Sequence, residues 1–136
     1  MKEYLKYVTV SVLLLLLDGL WILSNYNMYS SSVKAVQKTE FVPNLYYAAI
    51  AYLFVLFSSL YIAIPFTKLH LEKEDTIITL LSKSLIYGGT VGLAIYGIYH
   101  FTCLALYQNY ALDVAVIDII WGTVLNTVIV FVYILL

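Results

Sequence analysis

Val114-Ala-Val-Ile-Asp118-Ile-Ile-Trp121-Gly122-Thr-Val-Leu-Asn126-Thr-Val-Ile-Val-Phe-Val-Tyr-Ile-Leu-Leu136 is a long apolar run with one acid near its start. A helix needs about 20 predominantly apolar residues to cross a bilayer, and this stretch supplies them. A carboxylate inside such a run costs roughly 2.5–3.5 kcal/mol on insertion scales, so it needs a partner or a task. The same shape occurs far upstream, where Asp18-Gly-Leu-Trp21 lies inside another apolar run and matches Asp118-Ile-Ile-Trp121.

Working outward, four segments have spanning character: residues 4–24, 45–66, 84–107 and 114–136. Lipid offers no partner to backbone polar groups, so each segment must satisfy its own as a helix. The expected fold is an all-α, antiparallel, four-helix integral membrane bundle with short loops, in a single domain over 1–136. Composition agrees: 63% of residues are hydrophobic and 11% charged, where soluble domains carry about a quarter charged. Mean hydropathy is +0.93. Pro43 is expected in the first turn of span two and Pro65 near its end, both tolerated positions. The first run carries Asp18, exceeds a signal-peptide core in length and lacks an Ala-x-Ala-like exit, so cleavage is not expected.

The connection over 25–44 is polar and has room for a short surface helix around 33–39. In the second connection, 67–83, Glu72-Lys73-Glu74-Asp75 is a charge run. Asp75 or Thr76 there is placed to cap a helix that extends span three about two turns beyond the bilayer. The third connection, 108–113, is tight and makes spans three and four antiparallel neighbours. Lys2, Lys6, Lys68, Lys73 and Lys83 fall on one side, against Lys34 and Lys38 on the other. That excess places both termini on the cytoplasmic or equivalent side. Tyr4, Tyr7, Tyr61, Tyr87 and Tyr133 near one interface, and Tyr26, Tyr29, Tyr46, Tyr47, Tyr107 and Tyr110 near the other, read as aromatic belts. Tyr52, Tyr96 and Tyr99 lie deeper and need hydrogen-bond partners.

Depth brings the buried polar groups together. At about 1.5 Å per residue, Asp18 lies about 9 Å, Asp118 about 8 Å and His100 about 12 Å below the same surface. On span three, Tyr96, His100, Cys103 and Tyr107 form one stripe. Span four places Asp118, Trp121, Gly122, Leu125 and Asn126 on one face, and span one places Asp18 and Trp21 with Ser11 and Leu14. Pointing these faces inward builds a polar cluster of Asp18, Trp21, Tyr96, His100, Cys103, Asp118, Trp121 and Asn126, with His100 between or beside the two acids. Gly88 and Gly92 make a G-x-x-x-G step on span three, and Gly122 offers a further close approach on span four. That step suits packing within the chain or against a second subunit.

Tyr96-Gly-Ile-Tyr99-His100-Phe-Thr102-Cys103-Leu-Ala105, then Val116-Ile-Asp118-Ile-Ile-Trp121-Gly122, resembles the signature of an uncharacterised four-helix membrane family, domain-of-unknown-function family 2177. Asp18-Gly-Leu-Trp21 and a Tyr-rich span two ending Ala63-Ile-Pro65 resemble its other parts, and the resemblance covers nearly the whole chain. It implies the fold and the Asp18/Asp118 pair. It brings no activity with it.

Several chemistries compete for the cluster. His100, Cys103, Asp18 and Asp118 are a four-ligand set of the kind zinc accepts, yet one His and one Cys at this spacing are not a recognised metal motif. Paired aspartates could hydrolyse a bond only with split pKa values and a substrate groove, and no groove is legible. A Cys103–His100 nucleophile pair rests on a common i, i+3 spacing. An Asp/His/Tyr layer is also the material of a proton or small-solute path. The plainest reading is structural: the polar groups lock four helices in register, in an accessory subunit of a larger membrane complex. The expected partners are the bilayer and either other membrane subunits or a second copy. No cofactor, resident metal, enzymatic role or nucleic-acid partner is expected; the net charge is −1 and there is no Arg.

Overall fold

A computed structural model describes residues 2–136. Five helices follow in order: α1 (Glu3–Ser24), α2 (Tyr26–Gln37), α3 (Leu45–Lys68), α4 (Ile77–Leu106) and α5 (Leu112–Leu135). There is no strand among the described residues. α1, α3, α4 and α5 are each long and apolar enough to cross a membrane. The molecule is the expected all-helical membrane bundle.

Local chemistry sets the helix ends. The Asn44 side chain caps α3 by accepting from the amides of Tyr46 at 3.1 Å and Tyr47 at 3.4 Å. Pro43 therefore precedes the cap and does not sit in the first turn as expected. Thr76 caps α4, accepting from the Thr79 amide at 3.3 Å. Asp75 instead braces the approach: it accepts from the Glu72 amide at 2.8 Å and pairs with Lys83 at 2.8 Å. The hydrogen bond from Glu72, then the one from Lys83, hold the Asp75 carboxyl below its usual range. α2 differs from the expected short helix around 33–39. It begins at Tyr26, directly after α1, because Tyr29, Ser32, Val33 and Val36 give a helical face packed inward. Lys38, at φ 62°, ends it in the left-handed region.

Two π-helical turns interrupt the long helices, Ser58–Ala63 in α3 and Ser84–Gly89 in α4. A π turn widens the backbone by one residue. In α3 it ends two residues before Pro65, which has no N–H to donate and whose ring crowds the preceding turn. The two wide turns lie against each other and against α5.

α5 is the centre of the bundle. Leu125, Ile129, Val130 and Tyr133 on it pack with Val10 and Leu14 of α1 and Ala63 and Ile64 of α3. The glycine step of α4 packs on α5 within the same chain. A methyl group at Gly88 would lie 2.7 Å from Val130 Cγ2, and one at Gly92 would overlap the Gly122 carbonyl. Gly89 belongs to the same contact: its methyl would meet Thr127 Oγ1 at 2.5 Å. At the terminal end of the bundle Tyr133 donates to Glu3, and Lys68 pairs with Glu3 at 3.1 Å, tying α5, α1 and α3.

α3 is unevenly packed. Its lower part buries Ser58, Ser59, Ala63, Ile64 and Thr67, while Leu45–Phe57 buries no residue. The upper half of this helix is held more loosely, with Val55 and Leu56 only partly buried against the core, and space opens between it and α4.

Candidate functional site: a two-carboxylate cluster beside a cavity

Asp118 sits on α5, one and a half turns below its start. One carboxylate oxygen accepts from the Tyr29 hydroxyl, and the other meets His100 Nε2 at 2.7 Å. Ionised carboxylates only accept, so Nε2–H donates across this bond. The other ring nitrogen, Nδ1, lies 2.8 Å from the Tyr110 hydroxyl. His100 is 1% exposed. Its two ring nitrogens are thus engaged by α5 and by the tight α4–α5 turn.

Asp18, 6% exposed, is served from across the bundle: Trp121 Nε1 donates to it at 2.7 Å. Trp21 Nε1 donates at 2.8 Å to the Tyr29 hydroxyl, which donates onward to Asp118. The two Asp-x-x-Trp motifs therefore exchange partners. Each indole serves the other motif's acid, one directly and one through Tyr29. The exchange brings the two rings into a parallel stack, 4.5 Å between centroids and 5° between planes.

The remaining predicted residues divide. Tyr96 packs its ring on Gly122 and lines the same cavity as both acids. Cys103 is a buried free thiol, one turn along α4 from His100. Asn126 belongs to a second, deeper polar point, where it accepts from Ser59 Oγ at 2.9 Å and donates to the Gly122 carbonyl at 3.2 Å. Eight residues separate it from Asp118, about 12 Å along the helix. Tyr107 leaves the stripe, because α4 ends at Leu106 and Tyr107 turns outward. Of the two expected placements, between or beside the acids, His100 takes the second: it bonds to Asp118 alone of the two. The four-ligand metal set is not assembled either. Among the described residues no three His, Cys, Asp or Glu side chains converge to hold an ion.

Three groups of the site, Tyr29, Tyr110 and Ser59, lie outside the cluster expected from the sequence, and a fourth, Tyr52, is marked there only as needing a partner. Tyr29 and Tyr110 read as aromatic-belt residues in the sequence, yet both hydroxyls are bonded within the cluster. Burial, then the adjacent Asp118 carboxylate, holds the Tyr29 hydroxyl well above the usual phenol range and keeps it a donor. Burial, then neighbouring Tyr99, does the same for Tyr110. Tyr52 stands beside Asp18 on the cavity wall. Ser59 is the partner of Asn126. The i, i+3, i+4, i+7 pattern of Tyr29, Ser32, Val33 and Val36 was the available signal for α2; nothing comparable marked Tyr110 or Ser59.

Asp18, Asp118, Tyr29, Tyr52, Tyr96 and Phe41 line a cavity of about 340 Å³. A larger apolar cavity of about 600 Å³ lies between the upper half of α3 and α4, and the two share Ala51, Val55 and Tyr96 as walls. No curated protein and no solved structure matches the chain. A family model described as a predicted membrane protein, DUF2177, matches residues 4–135. Four apolar helices and a match over nearly the whole chain agree: the protein is an integral membrane protein and belongs to the DUF2177 family.

Proposed function

We propose that the chain is a non-catalytic structural subunit of a larger membrane assembly, in which the buried polar cluster fixes the helices in register. One observation supports this above others: every other helix is tied to α5 by a polar side-chain bond. α1 is joined through Asp18–Trp121, α2 through Tyr29–Asp118, α3 through Ser59–Asn126 and α4 through His100–Asp118. In lipid, where apolar burial does not drive helices together, packing and such bonds decide which helix pairs form. The lysine excess on the terminal side supports an orientation with both termini cytoplasmic or equivalent. Gentle solubilisation of the native membrane should recover stoichiometric membrane partners. Migration as a lone monomer would overturn the subunit reading.

A second reading, proton movement, has its own observation: the unbroken chain Tyr110–His100–Asp118–Tyr29. Both ends of that chain lie at the same side of the bundle. Beneath it Leu14, Leu125, Ile129 and Val130 are fully buried and apolar. The arrangement suits exchange with one aqueous surface; in that layer the Ser59–Asn126 pair bonds to itself and to the Gly122 carbonyl, with no side-chain bond to the chain above. Reconstituted protein should therefore pass protons no faster than empty liposomes. A flux sensitive to Asp118→Asn would favour the relay over the subunit.

A further inference from the structure

The smaller cavity has a composition that a helix clamp alone does not require. Two carboxylates face it together with four aromatic rings, those of Tyr29, Tyr52, Tyr96 and Phe41. Asp118 has the His100 imidazole against it, whereas the partners of Asp18 are both neutral, the indole N–H of Trp121 and the hydroxyl of Tyr52. Among the described residues, no lysine lines the cavity. No cationic side chain therefore reaches Asp18 from the cavity wall. Aromatic faces around a carboxylate attract organic ammonium groups, because the ring quadrupole and the acid pull on the same charge. The neighbouring cavity is different in kind: Phe54, Phe57, Ile62 and Ile95 line it, with Ala51, Val55 and Tyr96 in common with the first. It opens along the loosely packed upper half of α3 and reaches Ser58 and Ile62. Together the two are within the size range of small-molecule sites, about 300–1,000 Å³.

We propose that these joined cavities bind a cationic amphiphile from the bilayer, its ammonium head between Asp18 and the aromatic rings and its apolar chain in the groove between α3 and α4. Entry is sideways from the lipid, since the groove lies at the level of the membrane-spanning helices. Ala51 lines both cavities, and its small side chain leaves the least obstruction between head and chain sites. The inference is independent of the subunit reading, and a failure to find membrane partners leaves it intact.

The chain contains only two tryptophans, and both belong to the cluster, with Trp121 bonded to Asp18 itself. Intrinsic fluorescence therefore reports the site without a label. Full-length protein in dodecyl maltoside micelles should be titrated with decyltrimethylammonium, with decanol and decyl sulfate as neutral and anionic controls of equal chain length. The ammonium compound should give a saturable emission change and the two controls should not. Asp18→Asn should weaken binding at least about tenfold, the loss of roughly one 1.4 kcal/mol step in affinity. Ala51→Phe fills the junction between the cavities and should weaken binding of the decyl compound while sparing tetramethylammonium. If Asp18→Asn fails to fold, Ala51→Phe decides the matter. Equal responses to decanol and decyltrimethylammonium, or unaltered affinity in Ala51→Phe, would overturn the proposal.

Discussion

Asp118 carries two bonds to two different helices on one carboxylate, and that makes it the most informative single residue. Replacing it with Asn keeps the volume but puts an NH2 group where only acceptors stood, so either His100 Nε2–H or the Tyr29 hydroxyl loses its acceptor. Leaving one buried polar group unsatisfied costs about 1–3 kcal/mol. Asp118→Asn should destabilise the folded bundle by about that amount in reversible unfolding from mixed micelles. His100→Leu should also destabilise, since it removes the partner of one oxygen. The pair in contact should not add: the double variant should be more stable than the sum of the single losses by about 0.5–3 kcal/mol. Strict additivity would show that the 2.7 Å contact contributes nothing to the fold. Trp121 and Asp18 form the matching contact on the other motif and obey the same logic.

Helix α4 meets α5 through glycines, and the register of that contact explains why those positions hold no side chain. At Gly92 a methyl group would overlap the Gly122 carbonyl and come within 2.7 Å of its carbon. Backbone cannot move aside as a flexible side-chain tip can. Gly92→Ala should therefore separate the helices and cost about 1–3 kcal/mol. Gly97 on the same helix has no such neighbour within 4 Å, so Gly97→Ala should be neutral or raise stability by up to about 1 kcal/mol. Equal effects of the two substitutions, measured by the same unfolding assay, would contradict the close approach. The helices and the depth of Asp18, Asp118 and His100 were legible because apolar run length and rise per residue are one-dimensional quantities. Which indole served which acid was not, because that depends on rotation of one helix against another. The π turns were also hidden: Ser58–Ala63 reads as ordinary helix until the packing of Ser59 on Asn126 shows what the wide turn aims. Tyr29 is harder to read for a related reason: the pattern of Tyr29, Ser32, Val33 and Val36 marks a helical face, but which helix that face meets depends on how α2 folds back onto the bundle.

At the scale of the molecule, the two ends of the bundle are built differently. The end near the chain termini is a close apolar core of Val10, Leu14, Ala63, Ile64, Leu125, Ile129 and Val130, closed by Tyr133, Glu3 and Lys68. The other end holds the carboxylates, the cavities and a helix half that buries nothing. The boundary falls at the π turn of α3, where buried residues begin with Ser58. One covalent helix thus belongs to two packing environments. Segments with few buried contacts open at lower free energy than the core to which they are attached. Amide exchange on the protein in neutral micelles should therefore be faster in Leu45–Phe57 than in the α3 segment from Ser58 onward, by about tenfold or more. The difference should narrow when decyltrimethylammonium is present, because an occupied groove supplies the contacts that the upper half lacks. Equal protection along the whole of α3 would mean that the upper half is held as firmly as the lower, and the lateral opening between α3 and α4 would lose its physical basis.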